Sequence, residues 1–195
     1  MFNTIGSSIT IKILDTEKRV VWEREEECKS LLRAWNRFME VILDQSNVSI
    51  VDVDGNSKTI SAPATASRAI MVGESVATND DKGVVIGTDD TAVAIDDYCL
   101  GTKIIEGTGA SQMNYLLQTM TRVESASEDY ISLNRIVTNN SGSTIIVKEA
   151  GVQVWSQDSV VADVYMLILR DVLSSPASVL DGQSIDVTYK IKAVL

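Results

Sequence analysis

Residues Gln183–Leu195 read QSIDVTYKIKAVL, and the strict alternation of this stretch decides how the rest of the chain is read. Ile185, Val187, Tyr189, Ile191, Ala193 and Leu195 fall on one side of an extended backbone. Ser184, Asp186, Thr188, Lys190 and Lys192 fall on the other. Successive strand side chains point to opposite faces, so a period of two over this length specifies a half-buried strand and not a helix. The preceding LDGQ, residues 180–183, supplies a turn.

Working outward, DVYMLILRDVL (163–173) is a continuous apolar run without helical polar spacing, as expected for a strand covered on both sides. YISLNRIVTNNSGSTIIVKEAGVQVW (130–155) reads as strand, turn, strand. Asn139-Asn140-Ser141-Gly142 form its reversal, and Ile131, Leu133, Arg135 and Val137 share one face. Near the N-terminus, SITIKILD (8–15) alternates with Ile9, Ile11 and Ile13 on one side, and RVVWERE (19–25) is a second β-rich run. VSIVDVDGNSKTIS (48–61) reads as a hairpin turning at Asp54-Gly55 or Gly55-Asn56.

One segment has a different period. In EECKSLLRAWNRFMEVILDQ (26–45), Cys28, Leu31, Leu32, Trp35, Phe38, Met39, Ile42 and Leu43 recur at three- and four-residue steps, opposite Glu26, Lys29, Arg33, Asn36, Arg37 and Glu40. That spacing predicts an amphipathic helix whose apolar stripe is covered by a sheet of the same chain or by a partner. The fold expected is therefore mainly β: an antiparallel β-sandwich or jelly-roll-like module with one amphipathic α-helix near the N-terminus. APATAS (62–67) reads as a connector. A boundary near 61–69 divides an attachment or edge element (1–60) from the sandwich (61–195), the alternative being one continuous domain.

Composition narrows function. The 195 residues are 45% hydrophobic and 23% charged, enough to bury a core. The net charge of −10, with Lys and Arg scattered, argues against nucleic acid, because neutralising phosphates needs clustered cations. No run approaches the roughly 20 apolar residues of a membrane helix. The N-terminal residues lack an export signal, so synthesis and use without Sec export are expected. Cys28 and Cys99 show no metal or redox spacing. They read as two buried reduced thiols, and their positions leave a mutual disulfide open.

The chain has no histidine, which removes the commonest general base and zinc ligand. No nucleophile elbow or phosphate-binding glycine loop occurs. No catalytic residue, cofactor or metal site is expected. DVDGNSKTI from Asp52 begins like a calcium loop, but Gly55 stands fourth and Pro63 stands twelfth, so it reads as a hairpin turn. ATNDDKG (77–83), with Asp80 and Asp81, reads as a solvated acidic turn. In IGTDDTAVAIDDYCLGT (86–102), Asp89-Asp90 read as turn residues. Asp96 and Asp97 read as the end of a strand from Thr91, on opposite faces and so unable to share an ion, with Tyr98 and Leu100 on the side of Asp96.

Several stretches together resemble the C-terminal half of structural proteins of tailed bacteriophages and prophages. They are VVIGTDDTAVAIDDYCLGTKI (84–104), NRIVTNNSGSTIIVKEAGV (134–152) and MLILRDVLSSPASVLDGQSIDVTYKIKAV (166–194). The shared features are the G-T-x-x-T-A-V and D-Y-x-L segment, the N-N-S-G turn, E-x-G, R-D-V-L and the G-x-x-[IL]-x-V-T-Y-x-I ending. The resemblance spans about residues 84 to 195 and implies a non-enzymatic virion component, made in the host bacterial cytoplasm. Such a component decorates or joins capsid or tail proteins by symmetric contacts, as a homo-oligomer, with a trimer expected. Candidate interface residues are Trp22, Trp35, Phe38, Asp96 and Tyr98. Two other readings stand beside it. One is a carbohydrate- or receptor-binding module of a tail fibre or tip, using Trp155 and Tyr98. The other is a hydrolase using Asp96 and Asp97.

Overall fold

A computed structural model describes residues 4–28, 31–44, 47–60, 71–124, 129–158 and 162–194. The chain order is β1 (Thr4–Leu14), β2 (Val20–Glu27), α1 (Arg33–Asp44), β3 (Val48–Val51), β4 (Ser57–Ile60), β5 (Gly83–Gly87), β6 (Asn114–Tyr115), β7 (Thr119–Glu124), β8 (Asp129–Thr138), β9 (Ile145–Gln157), β10 (Asp163–Val179) and β11 (Ser184–Val194). The alternating C-terminal stretch is β11, and Ile185, Val187 and Tyr189 are fully buried on its inward face.

Every ladder is antiparallel. One sheet runs β2-β1-β11-β8-β6, with β7 also on β8, and a second runs β10-β9-β5. The inward faces of the two meet in one core, giving a mainly-β, sandwich-like fold. β1 pairs β11 along its whole length, from Thr4 opposite Val194 to Leu14 opposite Ser184. The first strand is therefore interior to the larger sheet. The connector expected near 61–69 lies outside the described residues.

Local chemistry accounts for the turns. Asn139 is fully buried: its Nδ2 donates to the carbonyls of Ser143 (2.7 Å) and Val179 (2.8 Å), and its Oδ1 accepts from Ser141 N (3.1 Å). At the β3–β4 turn, Asp52 Oδ1 accepts from Asp54 N (3.1 Å) and Asn56 N (2.7 Å), and Gly55 takes a φ of 81°. That hairpin is as expected. β10 matches its sequence pattern as well, being buried continuously from Met166 to Asp171.

The helix differs from expectation. It begins at Arg33, seven residues after Glu26. Glu26 and Glu27 instead extend β2 against Ile9 and Ser8, Leu31 bridges Leu169, and Leu32 N donates to Ile168 O (3.0 Å). Strand pairing thus takes residues that the three-four spacing assigned to a helix. The buried stripe shifts accordingly. Phe38 and Val41 are covered, Ala34 and Trp35 pack partly against the core, and Ile42 and Leu43 are exposed. The helix lies on β3 and β10 of its own chain.

Because β1 is interior, Ile11→Ala should cost about 2–4 kcal/mol through lost burial and a residual cavity. Urea unfolding measures this; a loss under 1 kcal/mol would show that β1 is not packed into the core.

Candidate functional site

The acidic run at 86–102 does not form a strand after Gly87. Residues 88–100 loop out and return, turning at Ile95-Asp96, with Asp97 N donating to Ala94 O (3.1 Å). The strand placing Asp96 and Asp97 on opposite faces is therefore replaced by a turn, and the reason is Arg170 of β10. Its side chain is 3% exposed. Nε donates to Glu149 Oε2 (2.9 Å), Nη1 to Asp97 Oδ2 (2.7 Å), and Nη2 to Asp89 Oδ2 (3.3 Å) and Thr91 O (3.2 Å). Burial alone would lower the guanidinium's pKa, but the hydrogen bonds to Asp97 and Glu149 outweigh it and hold the pKa above the ordinary value.

Glu149 of β9 is the second member, with a fully buried side chain. Oε1 accepts from Thr102 N (2.9 Å) and Asp89 N (3.4 Å), and Oε2 accepts from Gly101 N (3.1 Å) as well as from Arg170. One carboxylate thereby ties both ends of the loop to the sandwich. The approach is close enough to need glycine. A Cβ on Gly87 would stand 2.6 Å from Thr102 O and collide with Glu149, and one on Gly101 would collide with Asp89. The four sequence-adjacent carboxylates thus divide. Asp89 and Asp97 serve Arg170, Asp90 pairs with Lys148 at the surface (2.8 Å), and Asp96 is exposed.

A second buried guanidinium sits on β8. Arg135 is fully buried, and among the described residues no carboxylate forms an ion pair with it. Its Nε donates to Leu116 O (3.0 Å), Nη1 to Lys82 O (3.1 Å) and Val84 O (3.2 Å), and Nη2 to Val76 O (3.0 Å) and Asn79 O (2.5 Å). Guanidinium carries five N–H donors, and five carbonyls, four from residues 76–84 and one from Leu116, answer them. The Tyr115 ring lies 4.7 Å away beneath the cation, and its hydroxyl donates to Ile104 O (2.7 Å). Burial lowers the Arg135 pKa, and burial pushes the Tyr115 hydroxyl far up. Asp80, expected in a solvated turn, is half-buried here. It accepts from Glu106 N (2.6 Å) and Lys103 Nζ (3.4 Å), pinning the loop beside Arg135.

The candidate interface residues separate into distinct places. Asp96 and Tyr98 come together, lining a cleft of about 250 Å³ with Asp97, Arg33 and Arg37 of α1, and Ile50 of β3. Trp22 is half-buried on β2, in a shallow groove of about 380 Å³ with Val21, Pro176 and Leu180. Trp35 is half-buried on α1 and packs on the core. Phe38 is 1% exposed, which places it inside the molecule rather than at a contact surface. Trp155 is half-buried beneath Lys82, whose Nζ stands 5.9 Å from the ring centre.

Arg170, Glu149 and Arg135 are absent from the sequence-derived candidates. Each is a charge inside an apolar strand, in LILRDVL, IVKEAGV and LNRIV, and that incongruity is the signal that would find them. The cysteines are unpaired with each other. Cys28 Sγ donates to Asp171 Oδ2 (2.8 Å), while burial, and then the charge of Asp97, push the Cys99 thiol up and away from a reactive thiolate. Among the described residues, no group of three or more Cys, Asp and Glu is placed to hold a metal ion, and no helix is long and apolar enough to cross a membrane.

Two substitutions test the buried charges, with a third at the surface as a control. Arg170→Met should destabilise the fold by about 3–5 kcal/mol, because Glu149 is left charged and buried without a cation. Asp90→Asn, which breaks only a surface pair, should leave the denaturation midpoint unchanged. Arg135→Lys should cost about 2 kcal/mol or more, since three ammonium donors leave two of five carbonyls unanswered. A neutral result for either arginine in urea unfolding would contradict the role assigned to it. Comparison of the chain with protein-family models, with curated proteins and with solved structures finds no match.

Proposed function

We propose that this chain is a non-enzymatic structural component of a tailed-phage particle, decorating or joining capsid or tail proteins as a homo-oligomer, with three copies the expected number. The supporting observation is a convergence in space. The segments that resemble phage virion proteins lie far apart in sequence, yet Asp89 and Asp97 of the first, Glu149 of the second and Arg170 of the third meet in one buried ion cluster. A cluster of that kind fixes a loop onto a sandwich without presenting a reacting group to solvent. It suits a part whose work is to hold shape within an assembly.

A second reading has its own observation. Tyr98 is exposed at a cleft that also carries Arg33, Arg37 and Asp96, and a ring beside polar groups of both signs is a surface that suits a sugar. This is the carbohydrate- or receptor-binding module of a tail fibre or tip.

Purified particles from the producing host decide between them. The structural role predicts that the chain co-sediments with intact particles and is found in them by mass spectrometry at a stoichiometric level. Its absence from intact particles would overturn the proposal. Binding of the isolated protein on a glycan array, lost in Tyr98→Ala, is the result expected of the second reading.

A further inference from the structure

We propose that the cleft between α1, β3 and the turn at Asp96 binds an acidic sugar residue, a single ring whose carboxylate is held by Arg33 and Arg37. The inference rests on the sugar-binding reading of this cleft and adds the class of sugar. Arg33 and Arg37 stand one turn apart on α1, and both line the cleft together with Asp96 and Tyr98. Arg33 is exposed, and among the described residues its guanidinium has no partner. Arg37 is engaged by Glu40 (3.3 Å), with about half of each side chain in water. The Asp96 carboxylate is exposed and likewise unpartnered among the described residues. A chain of net charge −10, rich in carboxylates, thus leaves a guanidinium unanswered at a cleft that holds a second one beside it.

The walls of the cleft are fixed, because each is tied to β10. Leu32 N, at the start of α1, donates to Ile168 O (3.0 Å), and Val53 N, just after β3, donates to Tyr165 O (3.0 Å). Asp97, next to Tyr98, is held by Arg170 (2.7 Å). Arg33 N donates to Ile95 O (2.8 Å), which joins the helix directly to the turn. The Tyr98 ring lies against the β3–β4 turn, where a Cβ on Gly55 would stand 3.5 Å from it. The ring is 41% exposed yet braced on one side, so it offers a fixed apolar surface with a polar tip. Walls that need no ordering on binding reduce the entropic cost of holding a small ligand.

The side chains select the ligand. A guanidinium matches a planar carboxylate through paired N–H donors. Asp96 accepts hydrogen bonds from sugar hydroxyls, and the Tyr98 ring suits the C–H face of a pyranose. Asp97 is already answered by Arg170, so the charge left over at the cleft is that of the two arginines against Asp96 and the shared Glu40. That balance suits a monoanion. A phosphate dianion would bring a second negative charge beside Asp96 and Asp97, and a neutral sugar would leave the Arg33 guanidinium unused. The volume of about 250 Å³ lies just below the range of pockets for drug-sized ligands and suits one ring.

Titration of isotope-labelled full-length protein tests this, read by the NMR shifts of backbone amides and arginine Nε groups. Methyl glucuronide and methyl galacturonide are compared with methyl glucoside and methyl galactoside, which carry a hydroxymethyl in place of the carboxylate, and with inorganic phosphate. At least one uronide should shift Arg33 and Tyr98 and bind about tenfold more tightly than its neutral parent. Arg33→Gln should remove that advantage while leaving the urea midpoint unchanged, because the side chain touches no described partner. Tyr98→Ala should weaken the acidic and the neutral sugar alike. Equal binding of a uronide and its parent, or selectivity that survives Arg33→Gln, would overturn the carboxylate assignment and leave the sugar reading standing. Phosphate binding at the cleft more tightly than either uronide would overturn it too. No shift with any of the four sugars would overturn both.

Discussion

A guanidinium withdrawn from water needs hydrogen-bond partners and countercharge, and the architecture around residues 86–102 follows from that requirement at Arg170. β10 carries the cation inward, β9 brings Glu149 against it, and the loop after β5 folds back to supply Asp89, Asp97 and the Thr91 carbonyl. Glu149 in turn takes the backbone N–H groups of Asp89, Gly101 and Thr102, so the loop is gripped at both ends by groups that cannot be released one at a time. Breaking any single pair leaves a buried charge without compensation, and that asymmetry makes such clusters cooperative.

Arg135 meets the same requirement by a different route. Among the described residues its partners are five backbone carbonyls and the Tyr115 ring, not carboxylates. The consequence is similar, because segments with little regular structure of their own, near residues 76–84 and 116, are held against β8. Two buried cations thus organise the irregular stretches on either side of β5.

Much of the fold was legible because strands bury alternate residues. Ile9, Ile11 and Ile13, or Ile185, Val187 and Tyr189, announce their faces without knowledge of their neighbours. The turn at Asn139–Gly142 was legible for the same local reason. What failed was wherever tertiary pairing outweighed local spacing. Cys28, Leu31 and Leu32 sit at helical intervals but are drawn into extended contacts with β1 and β10, and Val93 to Asp97 alternate like a strand yet turn because Asp97 is held by Arg170. The ion cluster was hidden because its members lie in three separate segments, and only the oddity of a charge within an apolar run marked each one. Asp96 and Tyr98, both named as interface candidates, line one surface cleft, whereas Phe38, equally bulky, lies in the core.

Native-state hydrogen exchange tests most directly whether the Arg170–Glu149 cluster holds this loop as part of the core. The amides of Asp89, Gly101 and Thr102 lie outside the regular strands, so an unsupported loop would leave them near the exchange rates of free peptide. The account predicts protection close to that of the β9 and β10 ladder. Exchange of these three amides at loop rates, while β9 and β10 stay protected, would contradict it.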